Sequence, residues 1–491
     1  MRSTFFGIEL TRRALFAQQR AMDVASHNIA NANDPAYSRQ RAEMVATAPY
    51  APPGTAPAGV AGQVGTGVWV QAIERVRDAY LDGRIRSQGQ LSSYWRVQRD
   101  TFEQIERIFN EPTDQGIRVA LDQFWQALQD LSVTPDSMAV REVVVQRGKL
   151  LAEAVGTVFR QLEALRLDLD TSLGLKVDRL NALAADLARL NRQIAQVVAS
   201  GQRPNDLLDR RDAILEEMAA LAAVQVTARS GEQVAVSIGG LTLVDGEIAH
   251  RLVMDGQGAD RRVHWEDAAG PEVRFSGGEI AAILDLRGTI DLNDTPPVIG
   301  AIPELMKALD DWVRALAQEF NAVHRDGYGL DGKNGRGFFR IDADMDGWAA
   351  DDLAIRPSIM ANPDRIAAAK DPTFVPGDGS HALALADVLK TVRYDSTTRV
   401  DLGGVTLPDY FASLVGRIGV QTQQAQTMAD NQQLVLDHLE GLRQSISGVS
   451  LDEEMADLIR FEHAYGAAAR AMTAMDEVLD TLINRTGLVG R

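Results

Sequence analysis

Cysteine is absent from the 491 residues, which excludes a disulfide scaffold, a thiolate zinc site and a thiol nucleophile. The redox character of the compartment stays open, because a chain without thiols suits either side of a membrane. Basic charge is also short: 50 Lys and Arg stand against 68 Asp and Glu, a formal net charge of −18. Such a chain is poorly matched to a polyphosphate, so no nucleic-acid partner is expected. Long hydrophobic runs are missing. The longest uncharged stretch, Met44 to Ile73, contains Pro49, Pro52, Pro53, Pro57 and five glycines. That is loop chemistry, and no membrane span is expected. Glu9, Arg12 and Arg13 interrupt the opening residues, so a cleavable leader is not expected either. The remaining composition, 45% hydrophobic and 24% charged, is that of a globular chain of roughly two to four domains.

What the chain has in quantity is helical periodicity, strongest at its two ends. Ile8, Leu15, Met22 and Ile29 stand seven apart, flanked by Ala14, Ala17, Ala21 and Ala25, and Pro35 is expected to stop this helix. At the far end Leu451, Glu454, Leu458, Phe461, Tyr465, Ala468, Met472, Met475, Leu479 and Leu482 step by three and four. All but Glu454 are apolar, the pattern of a coiled-coil seam. Ser450 followed by Glu453 reads as a capping box, with Gly487 as a stop. Residues 1–41 carry six Lys/Arg and three acids, whereas residues 451–491 carry four and eight. Thin-striped helices of this length are marginal alone, and each end is the nearest partner for the other.

Between the ends, residues 91–223 read as long helices, the clearest running through Leu173, Leu180, Leu187 and Ile194. Short alternating runs then occupy 224–288 and predict a small antiparallel β unit. Helix is expected again over 303–325, a loop-rich section over 326–381, and helix from about Leu407 onward. The expected architecture is mainly α with a smaller β insertion, elongated and multi-domain. Residues 1–40 with 448–491 form a terminal coiled coil, 41–223 with 289–447 a discontinuous helical body, and 224–288 a small β-rich domain.

The segment Ser26 to Arg41, SHNIANANDPAYSRQR, resembles the N-terminal signature of the bacterial flagellar axial proteins of rod, hook and hook-associated type. Asn28, Ile29, Ala30, Asn31, Pro35 and Tyr37 stand at the matching places. His27, Asp34 and Ala36 depart from it, and alanine at 36 would be strained if the turn required positive φ. Ser447 to Asn484 resembles the C-terminal signature of the hook–filament junction members, and 105–112, 120–142, 204–219 and 320–339 resemble their interior motifs. The resemblance implies a structural protein without cofactors, assembled as a ring of copies between the hook protein and the second junction protein. It implies export through the flagellum's own channel to an extracellular location, with a chaperone holding the C-terminal segment beforehand. Terminal segments that are largely disordered before assembly are also implied. The expected assembly interface is Ile8, Leu15, Met22 and Ile29 with Leu458, Phe461, Tyr465, Met472, Met475, Leu479 and Leu482. A hook or rod sibling is the nearest alternative.

Rival chemistry is thin. Asp342 to Gly347 imitates the first half of a calcium loop, but Leu353 occupies the position of the bidentate Glu, so an acidic turn is expected, even with Asp351 and Asp352 nearby. Glycines 327, 329, 332, 335 and 337 follow a helix and lack a Gly-Lys-Ser/Thr partner. The seven histidines show no metal-binding spacing. A wall-degrading enzyme would need a carboxylate pair in a cleft, and no motif singles one out.

Overall fold

The computed structural model of the chain describes residues 5–49, 64–109, 116–256, 262–266, 273–290, 298–340, 349–390, 402 and 404–485. In order these form α1 (Phe6–Ala30), β1 (Gln40–Ala46), β2 (Val68–Arg75), α2 (Ala79–Phe109), α3 (Ile117–Val133), α4 (Met138–Ala199) and α5 (Asn205–Leu221). Next come β3 (Val224–Ala228), β4 (Val234–Ile238), β5 (Leu241–Asp245), β6 (Ile248–Ala249), β7 (Leu252–Asp255), β8 (Arg262–Trp265) and α6 (Gly278–Arg287). The short β9 (Thr289–Ile290) and β10 (Val298–Ile299) precede α7 (Ala301–Asp326), α8 (Pro357–Ala361), α9 (Ser380–Val388), α10 (Leu407–Ser447) and α11 (Leu451–Asp480). The fold is mainly α with small β elements, as the periodicity predicts.

Two compact units result, one of residues 1–90, 180–251 and 433–491, the other of 91–179 and 252–432. The divisions fall inside α2, α4 and α10 and between β6 and β7, not at the 224–288 limits expected for a β domain. In the first unit Leu180, Leu183, Leu187, Leu190 and Ile194 of α4 are all buried, the 3–4 spacing keeping them on one face. The sheet β3-β4-β5-β6 is an antiparallel meander. Asn191, within this apolar row, pins it: Nδ2 donates to Val234 O at 2.9 Å and Gly246 O at 2.7 Å, and Oδ1 accepts from Val234 N. β1 and β2 pair antiparallel with an irregularity at Glu43/Met44.

The second unit is built on α7, whose Leu305, Leu309, Trp312, Leu316, Phe320 and Val323 are buried. Phe124, Phe320, Phe338 and Phe339 cluster with ring centroids 5.0–6.0 Å apart, within the range of favourable aromatic pairs. Trp312 Nε1 donates to Leu407 O at 2.8 Å. Asn321 Oδ1 accepts from the backbone N–H groups of Phe338 and Phe339, while Nδ2 donates to Phe339 O. The glycine-rich motif is thus held by a helix side chain and serves packing. Arg141, fully enclosed, donates to the backbone carbonyls of Pro135 and Ile366, and burial lowers its pKa to about 10.

Three expectations need correction. The 224–288 segment is not one β unit: β7 and β8 make a separate hairpin, and 278–287 is helical. The run IAAILDL buries Ile280, Ala281, Ala282, Ile283 and Leu286, a spacing that fits a helix sunk in the core. Second, the Met44–Ile73 stretch is not loop throughout, since residues 44–46 and 68–73 are strand. Third, α1 ends at Ala30, before Pro35. The pseudo-calcium loop and Gly487 lie outside the described residues, while Leu353 is a core residue. Among the described residues no helix is long and apolar enough to cross a membrane.

Candidate functional site

The chain's two ends meet in the first unit, and Asn28 lies at the centre of the meeting. It is 1% exposed, and its amide is fully used. Nδ2 donates to Gln40 O at 2.8 Å and to Glu454 Oε2 at 3.0 Å. Oδ1 accepts from the Tyr37 hydroxyl at 2.7 Å and from Gln40 N at 2.9 Å. Two donors and two acceptors on one short side chain are what asparagine alone supplies. Burial, followed by the charges of Asp206, Asp209 and Glu454, pushes the Tyr37 pKa up, so its hydroxyl stays a donor. Asn31 Nδ2 closes the helix end by donating to His27 O. In the turn that follows, Asp34 Oδ1 accepts from Ala36 N at 2.9 Å. Ala36 is not among the residues with positive φ, so alanine there carries no strain and the departure from the signature is absorbed.

Arg39 joins this turn to the start of α11. Its Nε donates to Glu454 and its Nη1 to Glu453, both at 2.7 Å, while its backbone N–H donates to Ser447 O at 2.9 Å. Burial opposes the guanidinium charge, but Glu454 and Glu453 outweigh it and the pKa is raised. Ser450 caps α11 by accepting from Glu453 N, which directs the acidic first turn at Arg39 and satisfies the helix N-terminus.

A second layer seats the turn and hairpin on α5. Ser38 bonds Asp209 through both N and Oγ. Arg75 bridges Asp209 and Asp212 at 2.7 and 3.0 Å, and Arg77 pairs with Asp82. Burial would raise the Asp212 carboxyl, but Arg211, Arg77 and Arg75 hold it below the usual range. Glu216 is instead raised, its burial outweighing Arg443 and Arg77. Buried charges of this kind persist only when paired, and removing one partner strands the other.

The helical seam lies beside this anchor. α1 packs along α11, and a Cβ on Gly7 would sit 2.8 Å from Met475 Sδ. The fully buried positions of α1 are Thr11, Ala17, Ala21, Val24, Ala25 and Asn28. Ile8, Leu15, Met22 and Ile29 are half-buried beside them, Ala30 and Pro35 exposed. On α11 Leu479 is buried, Leu458, Phe461 and Met472 are half-buried, and Tyr465, Met475 and Leu482 are exposed.

Three family models match in chain order: "Flagella basal body rod protein" over residues 8–37, "Flagellar hook-associated protein FlgK helical domain" over 102–339, and "Flagellar basal body rod FlgEFG protein C-terminal" over 443–485. Flagellar hook-associated protein 1 of Bacillus subtilis is 32% identical over 517 aligned residues covering 100% of both chains. The chain belongs to the flagellar hook-associated protein 1 family. The Escherichia coli member is 26% identical, covering 96% of this chain and 98% of its own. A solved structure titled as the flagellar hook junction protein FlgK from Burkholderia pseudomallei shares the fold. Its TM-score is 0.62 at 15% identity, covering 74% of this chain and 100% of that one.

The family's two terminal models thus fall on α1 with its turn and on α11. The family is a structural one of the flagellum. Sequence reasoning found the signature but not the anchor residues Ser38, Arg39, Arg75, Arg77, Asp209 and Glu216. A signal existed: Asp206, Asp209, Asp212 and Glu216 recur every three or four residues, one face of α5.

Proposed function

We propose that the chain forms the junction between hook and filament, assembling as a ring of copies through the outer surface of its α1–α11 pair. The observation that carries this reading is what the pairing leaves uncovered. Phe16 is 63% exposed, and Met455, Ile459, Met475 and Leu482 remain 44–49% exposed along α11. Burying each such side chain contributes at most roughly 1.5–3 kcal/mol, so exposed apolar side chains repeated in every copy are a substantial drive to associate. In this reading Ile8, Leu15, Met22, Ile29, Leu458, Phe461, Tyr465 and Met472 finish burying on assembly. One end of the ring meets the hook protein and the other the second junction protein. Export runs through the flagellar channel, with a chaperone on the C-terminal segment, and the role is mechanical, not enzymatic.

Gold labelling of whole flagella tests the placement: a band at the hook tip is expected, whereas label along the hook or rod refutes it. Ile459→Asp tests the surface. Because Ile459 is 48% exposed in the protomer, the variant should fold and be exported yet leave cells with hooks and no attached filaments. Normal swimming by this variant would show that the exposed face of α11 around Ile459 is not the contact.

A further inference from the structure

The second unit carries a knob and, at the other end of the same helix, a hole. The knob is the loop before α9. Asp371 Oδ1 accepts from Thr373 N and Oγ1, and Phe374 O accepts from Gly377 N and Asp378 N. The Asp378 carboxylate closes the loop, taking Lys370 N at 2.8 Å on one oxygen and Ser380 N at 2.9 Å on the other. Gly379 seats it on the end of α3, where a Cβ would run into the Ser132 carbonyl. A loop tied in this way is ordered before any partner arrives. It nevertheless leaves Phe374 67% exposed, and Val133, next to Ser132, is 80% exposed. An aromatic ring held out on a preorganised loop loses little freedom on binding.

The hole lies by the first turns of α3. The buried Phe109, Ile117 and Val158 and the less buried Ala120, Leu150 and Ala154 line a groove of about 570 Å³. Its charged lining residues are Arg107 and Glu153. Lys149 stands 3.5 Å from Glu153 and offsets it, while Arg107 is 67% exposed. The groove therefore presents an apolar floor and a cationic edge, the complement of a phenyl ring flanked by Asp371 and Asp378. A second groove of this unit is rimmed by Asp285 and Glu304 and would repel the same loop. Ala120 and Ser132 both lie on α3, roughly 18 Å apart at 1.5 Å per residue. The tied loop keeps Phe374 close to Ser132, so knob and hole of one chain do not meet.

We propose that the Phe374 loop of each copy docks into the Phe109–Val158 groove of a second copy, a head-to-tail contact between second units that repeats around the ring. Knob and hole are different surfaces, so each copy gives one and receives one, the arrangement from which rings close. This inference rests on the ring of copies proposed above, and adds to its α1–α11 surface a contact made by the second unit.

The chain has no cysteine of its own, so introduced pairs report directly. Cells make the full-length chain as Phe374→Cys/Ala120→Cys, and hooks with attached filaments are isolated, oxidised mildly and run on a non-reducing gel. A 374–120 disulfide joins two copies. A ladder of multimers is therefore expected, roughly tenfold or more above either single variant, with mass spectrometry identifying the linked peptides. Absence of the ladder from junctions that hold their filaments overturns the proposal. So do dimers from Phe374→Cys alone, which would mean that loop meets loop. Gold labelling of the same preparation separates the two readings: a hook-tip band without the ladder sinks the docking alone, and label elsewhere sinks both. If Phe374→Cys sheds its filaments, Val133→Cys/Leu150→Cys keeps the phenyl ring and decides by the same criterion.

Discussion

Replacing Asn28 by Asp changes one NH2 to an oxygen and nothing in shape, so its effect isolates the hydrogen-bond arrangement. Two donations vanish: the 2.8 Å bond to Gln40 O and the 3.0 Å bond to Glu454 Oε2. In their place an anionic oxygen faces a carbonyl and a second carboxylate. At an effective dielectric of ~20, two charges ~3 Å apart repel by roughly 5 kcal/mol. The pair escapes by binding a proton, which for carboxylates titrating near ~4 costs about 4 kcal/mol at pH 7. The lost bond to Gln40 adds about 1 kcal/mol. The folded variant then holds a proton that its unfolded form lacks, so its stability rises as pH falls, by about 1.4 kcal/mol per unit down to the carboxylate range. Amide exchange in the first turns of α11, corrected for intrinsic rate and compared with the unaltered chain, measures the opening free energy. Asn28→Asp should lose about 5 kcal/mol of it at pH 7 and regain more than half by pH 5. Protection equal to the unaltered chain at pH 7, or a deficit that fails to shrink on acidification, refutes the reasoning.

Two further perturbations address the second unit. Trp312→Ala removes a fully enclosed indole that bonds Leu407 O and packs on Phe411, and should cost about 3–5 kcal/mol, read as a lowered urea midpoint of the fluorescence transition. His324 is buried with Nδ1 donating to Arg336 O and Nε2 accepting from Ala367 N, and burial lowers its pKa from 6.5 to about 4. The unfolded chain binds more protons between these values, so stability should fall as pH drops through that window, by about 3 kcal/mol in all. His324→Gln should flatten that part of the pH profile, and an unchanged slope in urea titrations would exclude His324 as its source.

Element type was legible wherever period and length agreed. α7 and the Leu173–Ile194 part of α4 follow the 3.6 period closely, and both are helix with those residues buried. α6 was not legible, because a ten-residue helix between glycines inside a β-rich stretch shows too few turns to reveal its period. β1 and β2 were hidden by the Pro/Gly-rich connection between them. In the site, the signature residues were readable as a block, but the reason for Asn28 was not, since its three partners, Tyr37, Gln40 and Glu454, are contributed by the turn, β1 and α11. Large residues every seventh place drew attention to Ile8, Leu15, Met22 and Ile29. The buried line beside them is mostly small, because α1 contacts both α11 and the β1–β2 hairpin, and closely packed backbones require small side chains between them.

Opposite net charge at the two ends suggested a diffuse attraction, and the structure gives it a local form. Arg12 and Arg13 pair with Glu9 on their own helix and face no acid of α11 among the described contacts. Arg39 carries the cross-end attraction seen among the described contacts, reaching Glu453 and Glu454 at 2.7 Å, the latter carboxylate enclosed. Screening at physiological salt acts over ~8 Å and weakens exposed charges most, so it leaves this contact nearly intact. The same arrangement explains why an acid interrupts an otherwise apolar seam. A leucine at 454 would add burial, yet it would take the acceptor from Arg39 Nε and from one of the two Asn28 Nδ2 hydrogens. The pairing of the ends is thus set less by the sum of their charges than by where one carboxylate is buried.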